Sequence, residues 1–263
     1  MAWLRPLGNT GMKVSALGLG TVKLGRNQGV KYPENFHIPD DRAATSLLSE
    51  ALDLGINLID TAPAYGNSEQ RLGSLLRGQR QQWLICSKVG EEFDNGCSRF
   101  DFSPEHTTHS IERSLNRLNT DVIDIVLVHS DGRDLHIIEE MGTLQALNEL
   151  KQRGLIRAFG MSTKTVAGGI AAAAQSDVVM LTYNLAQREE VAVLDACQKT
   201  NCGALIKKAF ASGHMAKDLA DPVAASMDLI FSHPATSSAI IGTIQKQHLQ
   251  ANVAAARAAL SPA

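Results

Sequence analysis

Short apolar runs alternate with amphipathic stretches from one end of the chain to the other. Runs near residues 15–21, 57–61, 83–88, 122–129, 157–162, 178–183, 203–209 and 238–242 read as eight strands, and each is followed by a segment with helical spacing. Over 42–54 the apolar positions Ala44, Leu47, Leu48 and Ala51 recur at three and four, and Ile138, Met141, Leu144, Leu147 and Leu150 do the same over 138–151. Ser103-Pro104 offers a hydroxyl N-cap followed by proline at the first helical position. Asn67 with Gln70 resembles a capping box before Leu72, Leu75 and Leu76. An Ala-rich helix is expected around 171–174, and Leu249, Val253, Ala256 and Leu260 give the last helix one core-facing stripe. Strands and helices alternating down the whole length are the pattern of a parallel sheet with crossover helices. With no Pro/Gly/Ser linker, eight such units predict one α/β domain over residues 1–263, a (β/α)8 TIM barrel. Pro6 to Gly20, turning at Gly8-Asn9-Thr10-Gly11, predicts a hairpin that closes the barrel bottom.

Two loops stand out. Residues 23–41 contain Gly25, Gly29, Pro33 and Pro39, and a long connection on the strand-end face of a barrel is more often functional than accidental. The Ser98–Ser103 region is read as a loop exposing Phe100 and Phe102, either a satellite apolar cluster or a pair facing the substrate.

The composition adds little direction. A hydrophobic fraction of 44% is that of an ordinary globular protein, and 263 residues are enough for a large core. A formal charge of −2 without charge blocks argues against nucleic acid or an anionic membrane as partner, leaving a small molecule. Cys86, Cys97, Cys197 and Cys202 form no metal-ligand spacing, and Cys86 reads as a core residue. The N-terminal residues lack the regions of a signal peptide, and no apolar run approaches the ~20 residues that span a bilayer. A cytoplasmic setting is expected.

The candidate chemistry lies at strand ends. Asp60 closes the run from Ile56, Tyr65 lies in the turn just after it, Lys88 closes the run from Trp83, and His129 closes the run from Val122. Parallel strands would project all four groups from one rim, where barrels of this kind do their chemistry. A free tyrosine titrates near ~10, so it donates a proton at neutral pH but is a poor base. The Lys88 ammonium is expected to lower that value, Asp60 to supply the anion a buried lysine needs, and His129 to orient a substrate oxygen. Singly, each has a duller reading: a turn cap, a solvent lysine, a backbone-bonded histidine, a packed ring. Their joint placement favours a site that protonates a carbonyl as a hydride arrives, or deprotonates an alcohol as one leaves.

At these residues the chain resembles the aldo-keto reductase family. The stretch from Gly55-Ile56-Asn57-Leu58-Ile59-Asp60 through Thr61-Ala62-Pro63-Ala64-Tyr65-Gly66 to Asn67-Ser68-Glu69 is very similar to that family's first signature. Ser87-Lys88-Val89-Gly90 and Leu127-Val128-His129-Ser130 resemble its lysine and histidine segments. The likeness runs from the N-terminal hairpin to Gly242–Asn252. It implies a (β/α)8 barrel and nicotinamide-dependent reduction of aldehydes or ketones. Tyr65 would be the acid, Lys88 and Asp60 its tuners, and His129 the orienter.

The resemblance also implies cofactor positions. Gly20 and Thr21 would line the site after the first strand. Ser162 and Thr163 fall in Gly160-Met161-Ser162-Thr163, similar to a Gly-x-Ser-Asn segment that holds the nicotinamide amide, with Thr163 in place of asparagine. Met180 stands where glutamine is frequent, and Lys207 at the stacking position of the seventh strand. Lys208, Ala209, Phe210, Ser212 and Gly213, with Gly242, Thr243, Gln245, His248 and Asn252, would serve the pyrophosphate and adenosine. NADPH is favoured by family habit, with NADH open, since Ile244 stands where a basic residue is common. The short sequence from His214 to Leu219 implies that a cofactor-covering clamp is missing, unless the loop at 23–41 folds across from the other side. Two other readings compete: a non-redox lyase forming a Schiff base at Lys88, and a dinucleotide-binding sensor with slow turnover.

Overall fold

The structure is a computed structural model that describes residues 2–30, 32, 35–213 and 219–261. An antiparallel hairpin of β1 (Leu4–Pro6) and β2 (Lys13–Ser15) opens the chain. The strands that follow into the ring are β3 (Leu17–Gly20), β4 (Leu58–Asp60) and β5 (Leu84–Val89). A second antiparallel hairpin, β6 (Glu91–Asp94) with β7 (Cys97–Phe100), leaves β5 directly and stays outside the ring. The ring resumes with β8 (Ile123–His129), β9 (Ile156–Ser162), β10 (Val178–Thr182), β11 (Gly203–Lys207) and β12 (Thr236–Ile241). These eight strands form a closed parallel barrel in the order β3-β4-β5-β8-β9-β10-β11-β12, with β12 pairing back to β3 at Ala239↔Leu17 and Ile241↔Leu19. Every expected strand is present, its ends displaced by two residues at most.

Strand side chains alternate between the two faces of a sheet, so each strand feeds two compartments. Leu17, Leu19, Ile59, Ile85, Val126, Val128, Val179 and Ala239 point outward and pack under the helices. Leu58, Cys86, Ile125, Leu127, Ala158, Val178, Met180 and Leu205 point inward. Leu7, Met12 and Val14 of the first hairpin join this inner cluster, so the hairpin plugs the barrel bottom as its sequence implied. Gly160 has no room for a side chain, because a Cβ there would lie 1.7 Å from the Val178 carbonyl oxygen of the adjoining strand.

Three local expectations are corrected. The helical spacing over 138–151 belongs to two helices, Asp134–Glu139 and Thr143–Gln152, separated at Gly142, whose φ of 72° interrupts the turn. Asn67 precedes the helix Ser68–Leu75 but makes no capping bond, since its φ of −94° and ψ of 17° lie outside the extended region from which a cap side chain reaches back. Phe102 is not exposed: it is buried in the core against Gly90, where a Cβ would meet its ring at 2.5 Å. Phe100, half-buried on β7, stacks on it at 6.0 Å. Ser103 does cap its helix, accepting from the His106 amide at 3.2 Å. Among the described residues, no helix is long and apolar enough to cross a membrane.

Candidate active site

On five of the strands the inward face carries apolar groups and then changes character at the strand end. Two residues beyond Leu58 is Asp60, beyond Cys86 is Lys88, and beyond Leu127 is His129. The same step leads from Met180 to Thr182 and from Leu205 to Lys207. Gly20, Ser162 and Gly242 complete the ring. All eight positions line one cavity of about 760 Å³ at the strand C-termini, and Tyr65 lines it as well. A cavity of that size holds a ligand of drug or cofactor fragment dimensions.

Lys88 is buried and donates to Asp60 Oδ1 at 2.5 Å and to the Thr61 carbonyl at 2.8 Å. Its Nζ stands 4.7 Å from the centroid of the Tyr65 ring, which meets the His129 ring edge-on at 6.1 Å. The four groups picked from the sequence are therefore one cluster. Thr21 secures the neighbouring edge, its amide and hydroxyl both donating to the Asp60 carbonyl at 2.9 Å.

Electrostatics correct one expectation. Burial is the largest influence on the Tyr65 phenol and raises its pKa well above the ordinary value, with Asp60 adding to the rise and Lys88 only partly opposing it. Tyr65 is thus held as a phenol, a proton donor. Burial alone would lower the pKa of Lys88, but Asp60 and then Tyr65 outweigh it, and Lys88 remains an ammonium. Burial lowers the pKa of His129, helped by the charges of Lys88 and Lys207 and opposed by Glu91. Glu91 Oε2 lies 2.7 Å from His129 Nδ1, close enough for an ion pair although the N–H is not aligned on the oxygen as a hydrogen bond.

Across the cavity, Lys207 Nζ donates to Ser162 Oγ at 2.9 Å and to the Thr163 carbonyl at 2.6 Å. Burial lowers its pKa to about 7, against the attraction of Glu190. Glu190 in turn accepts from the Thr182 amide at 3.2 Å.

Most cofactor positions drawn from the sequence reach the wall: Gly20, Thr21, Ser162, Lys207, Lys208, Ala209, Phe210, Gly213, Gly242, Thr243, His248 and Asn252. Two do not. Thr163 is buried behind it, its amide donating to the Met180 carbonyl at 3.0 Å and its Oγ1 lacking a hydrogen-bond partner. Gln245 is exposed just before the helix Lys246–Leu260, its amide donating to Thr243 Oγ1 at 3.1 Å, and does not line the cavity. The Ser212 side chain and residues 214–218, where the clamp was expected to be missing, lie outside the described residues. Lys208 and Ala211 hold φ of 54° and 46°, a left-handed backbone unusual for side-chain-bearing residues and frequent at ligand sites.

Several wall residues escaped the sequence reading. Thr182 was legible in principle, two residues on from the inward Met180. Glu190 and Tyr32 were not, because they come from loops. Tyr32 packs edge-on against Phe36 at 5.7 Å, under Lys23 Nζ at 4.1 Å from its ring. A Cβ on Gly242 would lie 3.1 Å from the Tyr32 hydroxyl, so the loop after β3 reaches the end of β12.

The profile of the aldo/keto reductase family matches residues 16–221. L-galactose dehydrogenase of Arabidopsis thaliana is 40% identical over 166 residues, 60% of this chain and 48% of that protein. The NADH-specific methylglyoxal reductase of Escherichia coli is 35% identical over 168 residues, 59% of this chain and 50% of that protein. The chain spans about half the length of the curated relatives it matches. A solved Pseudomonas aeruginosa protein assigned to the aldo-keto reductases is 54% identical, with a TM-score of 0.90 over 98% of this chain and 95% of that one. The holo form of a Bacillus halodurans aldo-keto reductase is 26% identical, with a TM-score of 0.81 over 97% of this chain and 91% of that one. With the family profile covering most of the barrel, the chain belongs to the aldo-keto reductase family.

Proposed function

We propose that this protein is an NADPH-dependent oxidoreductase that reduces small aldehydes or ketones, sugar-like carbonyls among them, to alcohols, with Tyr65 as the general acid. The observation that carries this reading is the single inward layer that brings a phenol, a buried ammonium–carboxylate pair and an imidazole to one cavity. Tyr65 Oη gives its proton to the carbonyl oxygen. Lys88, kept charged by Asp60, stabilises the phenolate left behind, and His129 hydrogen-bonds the same oxygen. Burial of the cluster keeps water from competing.

The residues present suit a nicotinamide dinucleotide. Bare positions at Gly20 and Gly242 leave the rim open between β12 and β3. Ser162 and Lys207 would serve the amide end, and Lys208 to Gly213, Thr243, His248 and Asn252 the phosphates and adenosine. Bound there, the dinucleotide supplies the hydride. NADPH is preferred by family resemblance, although one relative is named as NADH-specific. The reading makes the barrel one catalytic domain with a small-molecule partner in a cytoplasmic setting, without nucleic acid or membrane. A turnover screen with NADPH and NADH against aldehydes, ketones and aldoses tests it. Failure to oxidise either cofactor with any carbonyl, while still binding it, would point to the slow sensor instead.

The Schiff-base alternative finds no support at Lys88, since an ammonium held by Asp60 and the Thr61 carbonyl has no lone pair to attack with. The cavity amine with an accessible neutral form is Lys207, whose pKa is lowered to about 7. Borohydride trapping with a small aldehyde, without cofactor, is expected to label Lys207 and leave Lys88 unmodified. Peptide mass spectrometry showing the label on Lys88 would overturn the charge assigned to it.

A further inference from the structure

We infer that Glu91 is the positioning residue of His129, its carboxylate fixing the proton on Nδ1 and favouring the imidazolium, the form that donates to a carbonyl oxygen. The inference rests on the carbonyl-reducing reading above and extends it to a residue outside the barrel strands.

An imidazole nitrogen 2.7 Å from a carboxylate oxygen is favoured with its hydrogen on, because the anion repels a bare lone pair and attracts an N–H even when the bond stands off the line between them. That leaves Nε2 as the nitrogen available to a ligand. In a neutral ring, Nε2 is then an acceptor. It becomes a donor only when the ring is doubly protonated.

Glu91 is built to stay in place and stay charged. It is the first residue of β6, and Oε1 accepts from Ser98 Oγ of β7, the other strand of the hairpin, at 2.6 Å. Arg26 contributes a nearby positive charge. That guanidinium is itself fixed, donating to the carbonyls of Gln28 at 2.7 Å and of Ala64 and Gly29 at 3.0 Å, and lying 3.3 Å over the Phe93 ring. Burial would raise the pKa of Glu91, but His129, Ser98 and Arg26 together bring it down to about 2.

The groups facing His129 are few. Lys88 on β5 and Lys207 on β11 oppose a charge on the ring, Tyr65 meets it edge-on, and Ser162 is its register neighbour on β9. Glu91 is the counter-charge that works in the other direction. The doubly protonated ring donates from Nε2 to the substrate oxygen, a contact shared by reduction and alcohol oxidation because both pass through one transition state, so the carboxylate supports the form of His129 that turnover uses.

The test is Glu91→Gln, which keeps the shape and the acceptor for Ser98 but removes the charge. Histidine NMR of the cofactor-free protein, with His129→Gln identifying the resonance, is expected to show the His129 pKa about one pH unit lower in the variant. The kcat/KM for carbonyl reduction should fall ~10-fold at neutral pH, the factor that one pH unit represents. The falling limb of the reduction profile should move to lower pH by the same amount. An unmoved His129 titration overturns the pairing; a moved titration with an unmoved kcat/KM and pH profile overturns its part in the reaction. If Glu91→Gln does not fold, Ser98→Ala loosens the same carboxylate and should move the titration the same way by less, and no movement there counts against the pairing. The NMR result stands whether or not any carbonyl is turned over, so failure of the proposed reaction remains distinguishable from failure of this inference.

Discussion

Tyr65→Phe is expected to lower turnover by at least ~10²-fold while leaving dinucleotide affinity within a few-fold of the parent, the usual scale for loss of a general acid. The substitution removes one oxygen and preserves the ring that meets His129 edge-on at 6.1 Å and Lys88 at 4.7 Å. The cluster should therefore keep its shape. Because burial holds Tyr65 as a phenol, the proton is present throughout the neutral range and the whole effect falls on its transfer. Turnover at saturating cofactor, read beside cofactor binding by fluorescence quenching, decides the point. Activity within a few-fold of the parent would remove Tyr65 from the mechanism.

Lys88→Met is expected to damage both stability and catalysis. Both members of the Lys88–Asp60 pair are buried, and removing one partner of a buried pair costs about 3–5 kcal/mol because the other charge is left uncompensated. Asp60→Asn should impair activity more mildly, since it acts through Lys88. Combining the two substitutions separates structure from chemistry. The double variant should regain much of the lost stability in urea unfolding, yet turnover should stay low because the phenolate still lacks its cation. Recovery of turnover along with stability would show that the pair only supports the fold.

The barrel was legible because each of its strands is a short apolar run, and Asp60, Lys88 and His129 each end one of them. What the sequence concealed followed from physics that acts across space. The period of Ile138, Met141, Leu144 and Leu147 passes straight through Gly142, so apolar spacing alone joined two helices that a positive φ divides. Phe102 looked exposed because Gly90, whose missing side chain admits its ring, lies in another segment. The direction of the Tyr65 shift depended on how deeply the phenol is enclosed, which no neighbour in sequence reveals. Glu91 was missed because it sits on a hairpin strand that contributes nothing to the ring, with only its carboxylate reaching His129. Thr163 and Gln245 sat in matching motifs but are not among the residues that line the cavity.

Closure of the ring between β12 and β3 also governs when this protein can become itself during synthesis. The first barrel strand, Leu17–Gly20, has one permanent neighbour in β4 and waits for the other until Thr236–Ile241 has been made. The N-terminal hairpin waits with it, since Arg5 Nε donates to the Thr236 carbonyl at 2.7 Å and Ser237 Oγ donates to the Pro6 carbonyl at 3.0 Å. Until that late segment leaves the ribosome, the nascent chain carries two unpaired sheet edges, the kind of surface on which neighbouring chains pair wrongly. The hazard lasts until Thr236–Ile241 is made, because the docking of that one strand onto Leu17–Gly20 seals both edges at once.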